Sequence, residues 1–255
     1  MIERTFRIIP SVGPRKEKGI WDAGIMSWSD FLSSERVPGI PCGSKSVCDS
    51  VLETASVFLS EGDGRSLGGM LPRGEQWRLY GRFADRAAFL DIETDGLARD
   101  SLVTVVTVQG PGGTATLVNG RDLDSDSLSS ALRGAQLLVT FNGSCFDVPV
   151  LRNSFPDADL GLPHYDLRFA CRKVGYRGGL KTIERQMGIT RPEGIEEVDG
   201  MEAVRLWRRW ERSGDRGALE TLLEYNRADT LDLRPIADTV YDKLVREHAG
   251  FCYAD

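Results

Sequence analysis

The sequence predicts an α/β fold: a mixed sheet of three antiparallel strands followed by parallel strands, helices on both faces, and a small, mainly helical N-terminal region. Three observations predict it. Short runs rich in β-branched residues recur between residues 87 and 118 with a turn signal among them. Strand-like and helix-like segments then alternate as far as residue 187. From Met201 onward the apolar spacing is that of longer helices.

In chain order, Val47 to Leu59 is patterned as a helix, and Gly62-Asp63-Gly64, Gly68-Gly69 and Pro72-Arg73-Gly74 form a cluster of breakers. The cluster predicts a linker near residues 60–78, dividing a small region, 1–76, from a larger domain, 77–255. Ala87 to Ile92 is an apolar run ending in acids, and Leu102 to Val108 alternates Val with Thr. Thr114 to Val118 follows Gly110-Pro111-Gly112-Gly113, so these segments read as three strands joined by hairpins. Asp124 to Arg133 is helix-like, Gln136 to Phe141 a further strand, and Phe146 to Arg152 a short helix that tolerates Pro149 near its start. His164 to Leu167 is a short strand or turn, with helices at Phe169 to Val174 and Leu180 to Met187. The remainder reads as three helices: Met201 to Arg212, Arg216 to Leu233, and a last one ending near Glu247. No fixed-period repeat and no low-complexity tract interrupts this order.

Composition narrows the class. With 255 residues, 41% hydrophobic and 27% charged, the chain sits near globular averages, and fibrous or disordered readings have no support. No apolar run approaches the length of a membrane span, and Met1-Ile2-Glu3-Arg4 lacks the build of a signal peptide, so a cytoplasmic location is expected. Cys42, Cys48, Cys145, Cys171 and Cys252 are scattered and never spaced Cys-x-x-Cys; free thiols are expected, not a disulfide framework or a thiolate zinc site. The net charge of −6 lies wholly beyond residue 80, because the first 80 residues carry 10 basic and 10 acidic side chains. Any binding of nucleic acid must therefore come from a local patch.

The most informative segment is Phe89-Leu90-Asp91-Ile92-Glu93-Thr94-Asp95-Gly96-Leu97. On a strand, Asp91 and Glu93 project to one face, while Leu90 and Ile92 project to the other. Two like charges side by side repel unless neutralised, and a hard divalent cation with oxygen ligands is the natural candidate; ordinary surface acids on an edge strand are the alternative. A second acid, Asp147, follows the strand and turn Val139-Thr140-Phe141-Asn142-Gly143, where it can face the strand acids or simply favour a helix N-terminus. In a late helical pattern, Tyr225 and Asp229 stand four apart and so share a face, either as a water-orienting phenol beside a ligand or as a core residue at the solvent boundary.

Taken in order, Phe-x-Asp-x-Glu-Thr, then Phe-Asn-Gly-x-x-Phe-Asp, then Tyr-x-x-x-Asp resemble the three exonuclease motifs of the DEDDy group of the ribonuclease-H-like superfamily. The same phrases resemble the proofreading domains of family-B DNA polymerases. Trp77-Arg78-Leu79-Tyr80 and His164-Tyr165-Asp166-Leu167 look like the stand-alone YprB-type branch. The resemblance covers roughly residues 77 to 245 and implies a ribonuclease-H-like fold and a two-metal-ion 3′-to-5′ exonuclease. By it, Asp91, Glu93, Asp147 and Asp229 would be the ligands of two Mg²⁺ or Mn²⁺ ions, and Tyr225 would position the attacking water. Glu224, not His, stands five before Asp229, which excludes the histidine-containing variant of the group. Asp95 reads as a turn residue and Asp166 as a supporting one, both outside the metal set. His164 lies near the expected site but in the wrong segment for a general base.

For the substrate, residues 168–185 hold Arg168, Arg172, Lys173, Arg177, Lys181 and Arg185 against one acid, Glu184, a patch that can attract phosphates or serve as a solvated helical face. Arg205, Arg208, Arg209 and Arg212 form a second basic set, with Trp207 and Trp210 read as core anchors. The resemblance places the grip on a single-stranded 3′ end at Thr94, Leu97 and Asn142, and Arg172 and Lys173 of the basic patch are the expected phosphate contacts. Near the N-terminus, Ile9-Pro10-Ser11-Val12-Gly13-Pro14-Arg15-Lys16 resembles half of a helix-hairpin-helix, although Ser11 replaces the first glycine and Thr5-Phe6-Arg7-Ile8-Ile9 looks more like a strand than the missing helix. The expected partner is single-stranded nucleic acid, DNA favoured over RNA. A non-catalytic binding module and an endonuclease on structured or RNA-containing substrates are the competing classes.

Overall fold

The structure, a computed structural model, describes residues 1–249 except 97 and 99. The N-terminal region forms α1 (Pro14–Asp22), α2 (Trp28–Ser33), α3 (Lys45–Glu61), α4 (Gly64–Gly69) and α5 (Tyr80–Phe83), with a 3₁₀ segment at Arg73–Leu79. Then come β1 (Ala87–Thr94), β2 (Val103–Gly110), β3 (Gly113–Val118), α6 (Ser125–Ala131), β4 (Leu137–Thr140), α7 (Asp147–Ser154), β5 (His164–Asp166), α8 (Leu167–Lys173) and α9 (Leu180–Met187). Two longer helices, α10 (Gly200–Ser213) and α11 (Arg216–Ala249), complete the described chain.

The strands form one sheet in the order β3-β2-β1-β4-β5. β1–β2 and β2–β3 are antiparallel hairpin neighbours, and β1–β4 and β4–β5 are parallel, as the strand and helix alternation predicts. β4 pairs with β1 only at Ala87, Ala88 and Phe89, so β1 runs on past the end of β4 before its register with β2 slips between Glu93 and Thr94. That overhang carries Asp91 and Glu93. Helix starts are set by side chains: Asp199 accepts from Met201 N and Glu202 N at 2.9 and 2.8 Å to open α10, and Asp124 accepts from Ser127 N at 2.7 Å to open α6.

Both faces of the sheet are covered. On one, Ala88, Leu90, Ile92, Val106, Val108 and Leu138 pack with Leu128 of α6, Leu132 just past its end, and Val148 and Leu151 of α7. On the other, Ala87, Phe89, Leu137 and Val139 meet Leu233, Ile236, Val240 and Leu244 of α11. The hydrophobic cluster on this side continues into Ile2, Phe6, Ile20, Phe31, Leu52 and Leu67 of the N-terminal region.

Three elements differ from expectation. The two helices expected after Arg216 are one, α11, with Pro235 inside it. A mid-helix proline costs about 3 kcal/mol, but Leu233, Ile236, Val240 and Leu244 are fully buried, at about 1.5–3 kcal/mol each, and hold the helix on the sheet. The breaker-rich segment expected as a linker is packed: Leu67, Leu71, Trp77 and Leu79 are buried, and Gly68 lies so close to Pro163 that a Cβ would fall 2.3 Å from its ring. Residues 5–9 form turns and not a strand, because Phe6 N and Thr5 Oγ1 are both taken by the buried Glu17 carboxylate at 2.9 and 2.6 Å, and Ile9 N turns back to Phe6 O. Ile2–Arg4 makes only a 3₁₀ turn where a first helix of the half-motif would stand, and Ser11 takes a left-handed φ of 70°. Among the described residues, Cys42, Cys48, Cys145 and Cys171 are free, and no helix is long and apolar enough to cross a membrane.

The seam between α5 and α11 gives a test. A Cβ at Gly81 would lie 2.1 Å from the Tyr241 hydroxyl, so Gly81→Ala is expected to destabilise the protein by about 1–3 kcal/mol in urea unfolding. Wild-type stability in this variant would mean that the two helices are not held at this separation.

Candidate metal centre

Asp91 and Glu93 sit two apart on β1, on the face that meets α11, while Leu90 and Ile92 enter the opposite core. From α11 comes Asp229. Carboxylate oxygens of Asp91, Glu93 and Asp229 lie within 4.8 Å of one another, so groups 136 or more residues apart in sequence meet at one point. Asn226, one helical turn before Asp229, donates from Nδ2 to Asp91 Oδ2 at 2.8 Å and ties the strand to the helix. Tyr225 is buried on the same helix, and its hydroxyl interacts with the Asp229 carboxylate.

Asp147 stands beside this group and is not one of the three. It opens α7, is buried, and lies close enough for its charge to act on both Asp91 and Glu93. Its place is set by the preceding turn. Asn142 takes a left-handed φ of 68°, Gly143 N donates to Thr140 Oγ1 at 3.0 Å, and Asp166 accepts from Asn142 N and Ser144 N at 2.9 and 3.0 Å. Asp166 is thus a brace for the β4–α7 turn.

The centre is electrostatically loaded. Burial, followed by the charges of Asp229, Asp147 and Glu93, raises the Asp91 carboxyl well above the usual range; burial and then Asp229 do the same to Glu93. Burial pushes Asp147 up to about 7 and Asp229 to about 6, the latter despite Arg191. Tyr225 is raised by burial and then by the Asp229 charge, and stays a protonated phenol. Arg191 is ion-paired with Asp229 and makes two bonds of 2.7 Å to the buried Glu184.

Oxygen-only donors, mutual distances of a few ångströms and carboxyls driven toward protonation by burial and then by one another's charge are what a hard divalent cation relieves. The residues fit such an ion. The substrate-facing expectations are distributed more widely. Thr94 is buried at the end of β1 and donates to Gly96 O; Leu97 lies outside the described residues. Asn142 Oδ1 accepts from Arg168 Nη1 at 2.6 Å. Lys173 Nζ is turned onto Gly74 O at 2.8 Å, whereas Arg172 is exposed at the end of α8 and makes no side-chain hydrogen bond to the described residues. Trp207 is buried in the core, and Trp210 is half-buried under Arg121. His164 pairs through Nε2 with Thr140 Oγ1 at 2.8 Å, and burial lowers it to about 4.

A cavity of about 610 Å³ does not contain the acids. It lies along the β5 edge, lined by Arg73, Trp77, Arg152, His164, Phe169 and Lys173, and the carboxylate group is where the chemistry points. Sequence reasoning missed Asn226, Arg191 and Glu184. Asn226 carried a signal, being next to Tyr225 and three before Asp229 on one helix face. Arg191 carried none, since it reaches Asp229 from the segment after α9.

A family model described as the RNase_H superfamily matches residues 88–241. Among solved structures, the chain is similar to the family B DNA polymerase from the hyperthermophilic archaeon Pyrobaculum calidifontis, with a TM-score of 0.46 and 16% identity. That match covers 63% of this chain and 24% of the polymerase, so this chain spans about a quarter of that protein's length. No curated protein matches.

The raised carboxyls fix the sign of a pH effect. In the metal-free protein, Asp147 holds its proton to about 7 while the unfolded chain releases it near 3.8, so its contribution to stability falls as pH rises between those values. Asp147→Asn is therefore expected to gain stability over wild type as pH rises from 4 to 7, by roughly 2–4 kcal/mol in EDTA. A difference that is flat or shrinks with pH in chemical unfolding would show that burial does not raise the Asp147 carboxyl.

Proposed function

The chain belongs to the ribonuclease H superfamily, and from that premise we propose that it is a metal-dependent 3′-to-5′ exonuclease of the DEDDy group, YprB-type branch. Its substrate on this reading is single-stranded nucleic acid, DNA favoured over RNA. The observation that carries the proposal is the convergence of Asp91 and Glu93 from β1 with Asp229 from α11, one turn after Tyr225.

Asp91, Glu93, Asp147 and Asp229 would hold two Mg²⁺ or Mn²⁺ ions. Bound there, such ions supply charge neutralisation, a water of lowered pKa and stabilisation of the leaving oxygen. The chain's own residues do the rest. Tyr225, kept protonated by its surroundings, hydrogen-bonds and orients the water that attacks phosphorus in line, while the P–O3′ bond breaks and a 5′-mononucleotide leaves. Asn226 keeps the Asp91 carboxylate turned toward the centre. Thr94 ends β1 and Asn142 lies in the turn after β4, where a strand terminus entering the centre would touch them, and Leu97 belongs to the same grip by resemblance. Arg172 and Lys173, on the far end of α8, would meet phosphates further along the strand in a salt-dependent manner.

End-labelled single-stranded DNA and RNA, incubated with Mg²⁺, Mn²⁺ or EDTA, test this reading. A ladder shortening from the 3′ end with metal alone is expected. Internal cuts, or no product from any substrate, would overturn it. Asp91→Ala and Asp229→Ala are expected to abolish the ladder with far-UV circular dichroism unchanged. Tyr225→Phe should retain activity at a loss on the order of 10²-fold, the low end for a group that positions a proton transfer. Full turnover by Asp91→Ala would remove the centre from the reaction.

A further inference from the structure

The cation at Asp229 is not solvent or a surface lysine but Arg191, and its setting is unusual. Its side chain is 6% exposed. Nε and Nη2 are each 2.7 Å from a separate oxygen of Glu184, which is itself 2% exposed, and Nη2 also contacts Asp229 Oδ1. The guanidinium carbon lies 5.5 Å from the centre of the Tyr225 ring, while Nη1 is buried without a hydrogen-bond partner among the described residues. One permanent cation therefore touches both side chains of the Tyr-x-x-x-Asp pair from a segment that carries neither.

We infer that Arg191 is a resident counter-cation that competes with a divalent metal ion for Asp229 and thereby sets the metal affinity of the centre. The inference rests on the reading of the acidic group as a metal centre. A guanidinium stays charged throughout the working pH range, and in a buried setting a unit charge at contact distance acts strongly on its neighbours. Held against Asp229, it draws on the same carboxylate that a metal ion would use and repels a second cation entering beside it. Glu184 modulates this: its two bonds take up part of the guanidinium charge and fix its direction. Removing Arg191 should tighten metal binding, and removing only the Glu184 charge should loosen it, because the whole cation then bears on Asp229.

Two opposite effects are thus expected from neighbouring substitutions. Mn²⁺ titration of the full chain by calorimetry, without nucleic acid, reads them directly. Arg191→Gln should bind Mn²⁺ about tenfold more tightly than wild type, and Glu184→Gln several-fold more weakly. If Arg191 served only to position Asp229, Arg191→Gln would bind Mn²⁺ more weakly or unchanged, and that result overturns the inference while leaving the metal centre intact. Should Arg191→Gln lose its fold by circular dichroism, Glu184→Gln decides alone: unchanged or tighter binding is fatal to the proposal. Absence of Mn²⁺ binding by the wild type would sink the metal centre and this inference together.

Discussion

Three carboxylates held within 4.8 Å of one another repel, and the packing of α11 on β1 is what keeps them there. The cost is met by apolar burial a few residues away: Phe89 precedes Asp91 on the same strand face, and Leu233, Ile236 and Val240 follow Asp229 on the same helix. Asn226 adds a direct hydrogen bond between the helix and an acid of the strand. The site is therefore a consequence of a helix–sheet interface whose apolar part stabilises a charged edge.

The overhang of β1 explains why the charges can sit at that edge at all. β4 stops pairing at Phe89, so one flank of Asp91 and Glu93 is freed from a neighbouring strand just where the β4–α7 turn brings Asp147 in. A longer β4 would have placed side chains of a paired strand there. The register slip after Glu93 ends the regular ladder with β2 at the same point.

Much of this was legible in the sequence. Strand periodicity put Asp91 and Glu93 on one face, and helix periodicity put Tyr225 and Asp229 on another, and both pairs come together in space. The mixed sheet followed from hairpin signals and then alternation. What could not be read has identifiable causes. The helix expected to stop at Leu233 runs on through Pro235, because local rules count the lost hydrogen bond and not the apolar face that spans it. The glycines at 64 and 68 read as part of a linker, whereas Gly64 is pressed against Gln136 and Gly68 against Pro163, contacts made across the fold. Arg191 was invisible because its partners Glu184 and Asp229 lie on two different helices and no spacing links them.

The unbroken apolar seam from Ile2 to Leu244 bears on how the molecule can be cut or transplanted. Phe83, Phe89, Ile236 and Val240 share one cluster with Phe6, Ile20, Phe31 and Leu52, so a fragment starting at the matched residues would leave a broad oily flank to water. Excised that way, it would invite self-association. Any graft of the matched domain onto another scaffold has to carry its first eighty residues as a cladding, or replace them with a surface of the same shape.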